Sequence, residues 1–200
     1  MTTDPGAVAQ TAATWEELAA WVGGCVACPE LVASRTTAVA GTRPWDVSRA
    51  HVMLVGEAPG AQEDLAGVPF VGRSGQLLNS LLAEAGLDRS QVAVANVLKC
   101  RPPRNRKPRR AEVARCRPWL IRQIELVDPR VVVALGGTAA EWFLGPGARI
   151  AALREQVRDH RGRPLVVTYH PSAAIRFGPN GAPLAALRED LGTVARLVSG

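Results

Sequence analysis

Val52-Met53-Leu54-Val55-Gly56-Glu57-Ala58-Pro59-Gly60 is the stretch on which the fold turns. Four apolar residues in a row, closed by glycine, read as a strand buried on both faces. The glycine-rich segment after it lets backbone amides come close to a ligand. It lacks the Lys-Ser/Thr ending of a P-loop and the glycine spacing of a dinucleotide fingerprint. Alone it is a tight turn.

Working outward, the same pattern returns. Val92–Val97, Val131–Leu135 and Leu165–Tyr169 are further short apolar runs. Between them lie helical periodicities. Ser74 opens one, with Leu77, Leu78, Leu81, Leu82 and Ala85 on one face and Gly86 at its end. Val113, Cys116, Leu120, Ile124 and Val127 mark a longer one, and Gly136–Gly137 leads into another through Leu144. Leu184, Leu187, Leu191, Val194 and Leu197 mark the last. Upstream, Trp15–Val22 reads as a short helix with Thr14 as N-cap. Residues 1–13 read as a flexible tail, and 14–200 as a single domain. Strands alternating with helices imply a mostly parallel, four-stranded sheet covered on both faces. Ligands bind such sheets at the carboxyl ends of the strands. There stand Gly56–Gly60, Asn96–Arg101 and His170–Ser172, which are expected to converge.

No run of about 18 apolar residues suggests a membrane span, and Met1–Ala13 does not read as a secretory signal. A soluble cytosolic protein of bacterial type is expected. The net charge is +6, and seven cations fall between Lys99 and Arg110 with no acid among them. Without that segment the chain nets −1, so the basicity lives in one loop. Such a loop suits a polyanion, or is simply a solvated charge run.

There are four cysteines: Cys25, Cys28, Cys100 and Cys116. The Cys-x-x-Cys pair can grip one metal, and the second pair flanks the basic loop. Two pairs can close a four-thiolate site. Disulfides are disfavoured in a cytosolic chain. Zinc and a [4Fe–4S] cluster both suit four thiolates, and a redox Cys-x-x-Cys is a further option. Of the three histidines, His51 reads as structural and His160 as solvated in the turn Asp159–Arg163. His170, at a strand's carboxyl end before Pro171 and Ser172, is placed to touch a ligand.

Together these pieces resemble the family-4 uracil-DNA glycosylases. The resembling segments are Gly56–Gly60, Gly67-Val68-Pro69-Phe70-Val71-Gly72-Arg73, Asn96-Val97-Leu98-Lys99-Cys100-Arg101-Pro102-Pro103 and His170-Pro171-Ser172. The resemblance implies a three-layer α/β/α sandwich, a [4Fe–4S] cluster on the four cysteines, and zinc as the lesser alternative. It implies removal of uracil from DNA, starting base excision repair. Phe70 would stack on the flipped base, and Asn96 would read its polar edge. His170 would donate to the uracil O2 as charge builds. Backbone near Glu57 and Ala58 would line the pocket. Glu57 is a candidate for sugar-cation stabilisation or water positioning. Glu63 is a candidate for crowding the C5 side against thymine. Ser172 and Arg176 would hold phosphate or fill the gap left by the base.

Two departures carry weight. Some relatives in the wider superfamily use Asp or Asn where this chain has Ala58, which cannot activate water. A branch that traps DNA covalently uses a histidine in the basic loop, and Arg101–Arg110 contains none. Turnover is therefore expected, by a monomer acting on uracil-containing DNA. The competing readings are a metal-stapled module that binds uracil-DNA or single-stranded DNA without cutting, and a zinc-bound adaptor for RNA or another acidic partner.

Overall fold

The computed structural model describes residues 4–44 and 50–199. Five strands form one sheet: β1 (Val52–Gly56), β2 (Val92–Asn96), β3 (Val131–Leu135), β4 (Arg158–His160) and β5 (Arg163–Thr168). Their order is β2-β1-β3-β5-β4. The first four in that order are parallel, in registers such as Gly56 beside Asn96 and Leu54 beside Val133. Strand β4 is the departure from a four-stranded sheet. It runs antiparallel to β5 at the edge. Its polar Arg-Asp-His sequence gives no apolar signal, because an edge strand faces solvent. His160 is therefore in a strand, not a turn, and its ring meets Phe143 edge-on at 4.8 Å between centroids.

Alternation along each strand sends neighbours to opposite faces. Val52, Leu54, Val92, Val94, Val131 and Val133 face one side. There they pack on α5 (Arg73–Glu84), α9 (Pro171–Phe177) and α10 (Ala182–Ser199). Met53, Val55, Ala93, Ala95, Val132 and Ala134 face the other, against α6 (Arg110–Val127) and α7 (Gly137–Leu144). This is the three-layer α/β/α sandwich. Burying a leucine such as Leu54, Leu81 or Leu120 fully contributes about 1.5–3 kcal/mol each.

Part of the segment expected as a tail packs onto the domain. From Asp4 on it is ordered structure, while residues 1–3 lie outside the described residues. Helix α1 (Pro5–Ala9) is capped by Asp4, whose Oδ1 accepts from the Gly6 amide. Ala9 and Ala12 are buried with Leu18 and Val22 of α2 (Trp15–Gly23) against Trp119 of α6. Arg122 donates twice to the Ala12 carbonyl, at 2.9 and 2.7 Å. Small alanines let the helix approach closely, which is why hydropathy did not announce it. Thr14 caps α2 as expected, with Glu17 completing a capping box. Three short helices complete the fold: α3 (Pro29–Ser34), α4 (Ala61–Ala66) and α8 (Ile150–Leu153).

Candidate functional site

The carboxyl ends of β1, β2 and β5 open into one cleft of about 440 Å³. Glu57, Ala58, Glu63, Phe70, Asn96, His170 and Ser172 all line it. The three loops expected to converge do so. Arg176 does not line the cleft and is exposed in the last turn of α9. Gln62, Arg73, Asn105 and Arg106 line it without having been singled out.

Asn96 is the last residue of β2 and is 3% exposed. Its Oδ1 is a buried acceptor with no hydrogen-bond partner among the described residues. A lone buried acceptor costs about 1–3 kcal/mol, so its retention beside a cleft points to a ligand donor. Phe70 stands next to it with φ of 56°, a left-handed backbone that costs a bulky residue about 1–3 kcal/mol. Two glycines make room for this arrangement. A Cβ on Gly75 would fall 1.6 Å from the Phe70 carbonyl oxygen. A Cβ on Gly56 would fall 2.4 Å from Asn96 Oδ1 and 2.8 Å from the Phe70 ring. The glycine that ends β1 is thus required by the close approach of both side chains.

His170 is the N-cap of α9. Its Nδ1 accepts from the Ser172 amide at 3.2 Å and stands 2.8 Å from the Ser172 hydroxyl. With Nδ1 accepting, the ring proton of the neutral form is on Nε2. Burial pushes the imidazole down to about 4, and the nearby Glu63 charge only partly offsets that. At neutral pH the ring is an uncharged Nε2–H donor, 5.7 Å from the Phe70 ring between centroids.

The two carboxylates differ in their ties. Glu63 accepts from the amides of Gly60 and Gly72, at 3.1 and 2.8 Å. It clips the glycine-rich turn to the loop that carries Phe70. Glu57 accepts from the Thr138 hydroxyl at the start of α7. Thr138 was missed because its link to Glu57 spans 81 positions, and no local pattern announces it.

The basic loop is fastened more than its composition suggests. Arg106 pairs with Glu112 at 2.6 Å and Glu30 at 3.3 Å, Arg109 pairs with Glu30, and Lys107 reaches Glu141 at 3.8 Å. Arg101, Arg104 and Arg110 have no ion pair among the described residues. Lys99, counted with the loop cations, is 1% exposed and so is not part of the surface.

All four cysteines line one cavity, together with Leu31, Arg35, Lys99, Arg115 and Trp119. None of the four forms a disulfide among the described residues. Among the described residues no three metal-ligating side chains stand close enough to hold a single ion. Burial pushes the Cys28 and Cys100 thiols up and the Cys116 thiol up to about 12. Arg35 joins the two halves of this cavity, donating to Cys100 Sγ at 2.8 Å and to the Cys25 carbonyl at 2.7 Å.

The comparisons with known proteins agree with this geometry. The model of the uracil DNA glycosylase superfamily matches residues 45–192. A type-4 uracil-DNA glycosylase of Thermotoga maritima is 44% identical over 158 residues, which is 78% of this chain and 80% of that protein. One of Pyrobaculum aerophilum is 43% identical over 163 residues, covering 78% and 81%. One of Sulfurisphaera tokodaii is 38% identical over 174 residues, covering 82% and 77%. The chain belongs to the uracil DNA glycosylase superfamily and, within it, to the type-4 family.

Proposed function

We propose that this chain is a monofunctional uracil-DNA glycosylase that hydrolyses the N-glycosidic bond of deoxyuridine in DNA, the opening step of base excision repair. The carrying observation is the pairing, in one cleft, of an unpartnered Asn96 acceptor with a neutral His170 donor beside Phe70. Uracil offers the complement: an N3–H donor and carbonyl acceptors. Cytosine has no N3–H, so it would leave the Asn96 oxygen unpaired.

The base leaves the stack and enters the cleft, with Phe70 against its face. The N1–C1′ bond breaks, and its electron pair leaves with the base as a uracil anion. Negative charge gathers on O2, where His170 Nε2–H donates. A preorganised donor of this kind contributes about 10²- to 10³-fold. The sugar is left as a cation at C1′. Water adds there and loses a proton, giving the abasic site. Glu57, steadied by Thr138, faces the cationic sugar or holds the water; Ala58 contributes backbone only. Glu63 acts by clipping two loops together, and excludes a 5-methyl group through the position it gives them. Ser172 fixes the imidazole, and Arg176 reaches the DNA backbone from the outer end of α9.

Cys25, Cys28, Cys100 and Cys116 are the ligands for a [4Fe–4S] cluster. Four thiols lining one cavity are a donor set that suits a cluster or zinc, and the resemblance to the type-4 family favours the cluster. Bound, the cluster serves as a structural staple joining the N-terminal helices to the basic loop. The protein acts as a cytosolic monomer, and 14–200 forms one catalytic unit. No helix among the described residues is long and apolar enough to cross a membrane.

The test is cleavage of an oligonucleotide holding one uracil, with alkali added to break abasic sites. A thymine strand and His170→Ala run alongside. Cleavage of the uracil strand alone, slowed in the variant, is expected. Binding without cleavage by cluster-loaded protein would favour the non-catalytic module instead.

A further inference from the structure

Lys99 is the largest fully buried side chain among the described residues, and a buried ammonium requires compensation. Its Nζ donates to the backbone carbonyl of Asn96 at 2.6 Å and to the Gln123 side-chain oxygen. Both partners are neutral. No carboxylate pairs with it among the described residues. The groups within reach that can carry the opposite charge are cysteine sulfurs, which become thiolates on binding a metal centre: Lys99 lines the cysteine cavity together with Cys100 and Cys116.

The same lysine therefore touches two systems. On one side is the cysteine shell, where four thiolates around a [4Fe–4S]²⁺ core would carry a net charge of about −2. On the other is the backbone of the residue that reads the base. Adjacent links make the connection stiff. Val97 and Leu98 donate to the Gly56 and Glu57 carbonyls at 2.9 and 3.0 Å, and the Lys99 carbonyl accepts from Val39 at 2.6 Å. Gln123 is buried in turn and donates to the Ala40 carbonyl. A shift anywhere in the chain Ala40–Gln123–Lys99–Asn96 strains a hydrogen bond at the next link.

We propose that Lys99 is a positioning residue that couples the cysteine-bound centre to base recognition: the anionic centre is the counterion of Lys99, and Lys99 holds the Asn96 backbone so that its amide meets the uracil edge. This rests on the glycosylase reading above. It gives the cluster a second consequence besides stapling, because losing the counterion leaves the buried ammonium uncompensated next to Asn96.

The test is a double-mutant cycle on the cluster-containing protein, read by binding of free uracil and by single-turnover cleavage. Lys99→Met, with visible cluster absorbance retained, is expected to weaken both by about 10- to 100-fold, as for loss of a charge-assisted hydrogen bond and the fixed geometry it holds. In an Asn96→Ala background the same change is expected to add no more than about 3-fold, because coupled residues are non-additive. If Lys99→Met fails to retain its cluster, Gln123→Met keeps the charge and removes one acceptor; the same non-additivity with Asn96→Ala is expected at a smaller size. Losses that multiply independently, or a cluster-loaded Lys99→Met protein that binds and cleaves like the parent, would overturn the proposal. Wild-type protein that binds uracil but never cleaves would refute the glycosylase reading and leave the binding cycle decisive for Lys99.

Discussion

His170→Asn isolates what burial does to the imidazole proposed as the donor to the base. Asparagine retains an N-cap acceptor for the Ser172 amide and removes the titrating ring. The ordinary imidazole titrates near 6.5, and the folded ring near 4. As pH falls between these values, the unfolded chain takes up a proton that the folded chain refuses. Stability is therefore full above about 6.5 and declines as pH falls toward 4. The whole gap corresponds to about 3 kcal/mol, and stopping at about pH 4.5 leaves somewhat less. Solvent on the cleft side of the ring reduces this to about 2 kcal/mol. Urea unfolding at about pH 7 and about pH 4.5 measures it: the parent should lose about 2 kcal/mol more than His170→Asn between the two. The rate tells the same story from the other side. Because the working form is the neutral donor, cleavage should be level from pH 8 down to about 5, and His170→Asn should be slower by about 10²- to 10³-fold throughout. A parent rate that halves near pH 6.5, or equal acid losses in both proteins, would refute a neutral, buried imidazole.

Three further outcomes follow from the geometry. Gly56→Ala puts a methyl group against Asn96 Oδ1 and the Phe70 ring; cleavage should fall at least about 100-fold and unfolding should show a loss of about 1–3 kcal/mol. Thr138→Val frees Glu57 while keeping shape; single-turnover rates should drop about 10-fold with uracil binding unchanged, and a matched drop in binding would assign Thr138 to the base pocket instead. Cys100→Ala should lose visible absorbance, solubility and DNA binding before any change in base preference; a stable, cluster-free, fully active variant would refute the staple.

The sheet and the long helices were legible because their signals are local. Val131–Leu135 needs no partner to read as a buried strand, and α5, α6 and α10 carry apolar residues every three or four positions. Helices α1, α3 and α9 are five to seven residues long and have too few turns to show a period. They exist because tertiary contacts hold them. In the cleft, Asn96 and His170 were readable as polar residues at strand ends, and their roles came with the family resemblance. The Glu57–Thr138 bond and the Arg35–Cys100 bridge were not readable, since each joins side chains 81 and 65 positions apart, and the Glu63 clip, though local, depends on loop conformations that no periodicity announces. Lys99 shows the sharpest limit. In sequence it is one cation among seven, and only the fold separates a buried ammonium from its exposed neighbours.

The two ends of the sheet bear on the chain's behaviour in crowded solution. Parallel strands made almost wholly of Val, Leu and Ala are potential templates for a neighbouring chain. At the β2 side Thr42 closes the edge, exchanging amide-to-carbonyl bonds of 2.8 Å in both directions with Val94. At the other side β4 ends the ribbon with Arg158, Asp159 and His160, a charged border that discourages a sixth strand. The apolar ribbon thus carries at each end a feature that discourages a further strand.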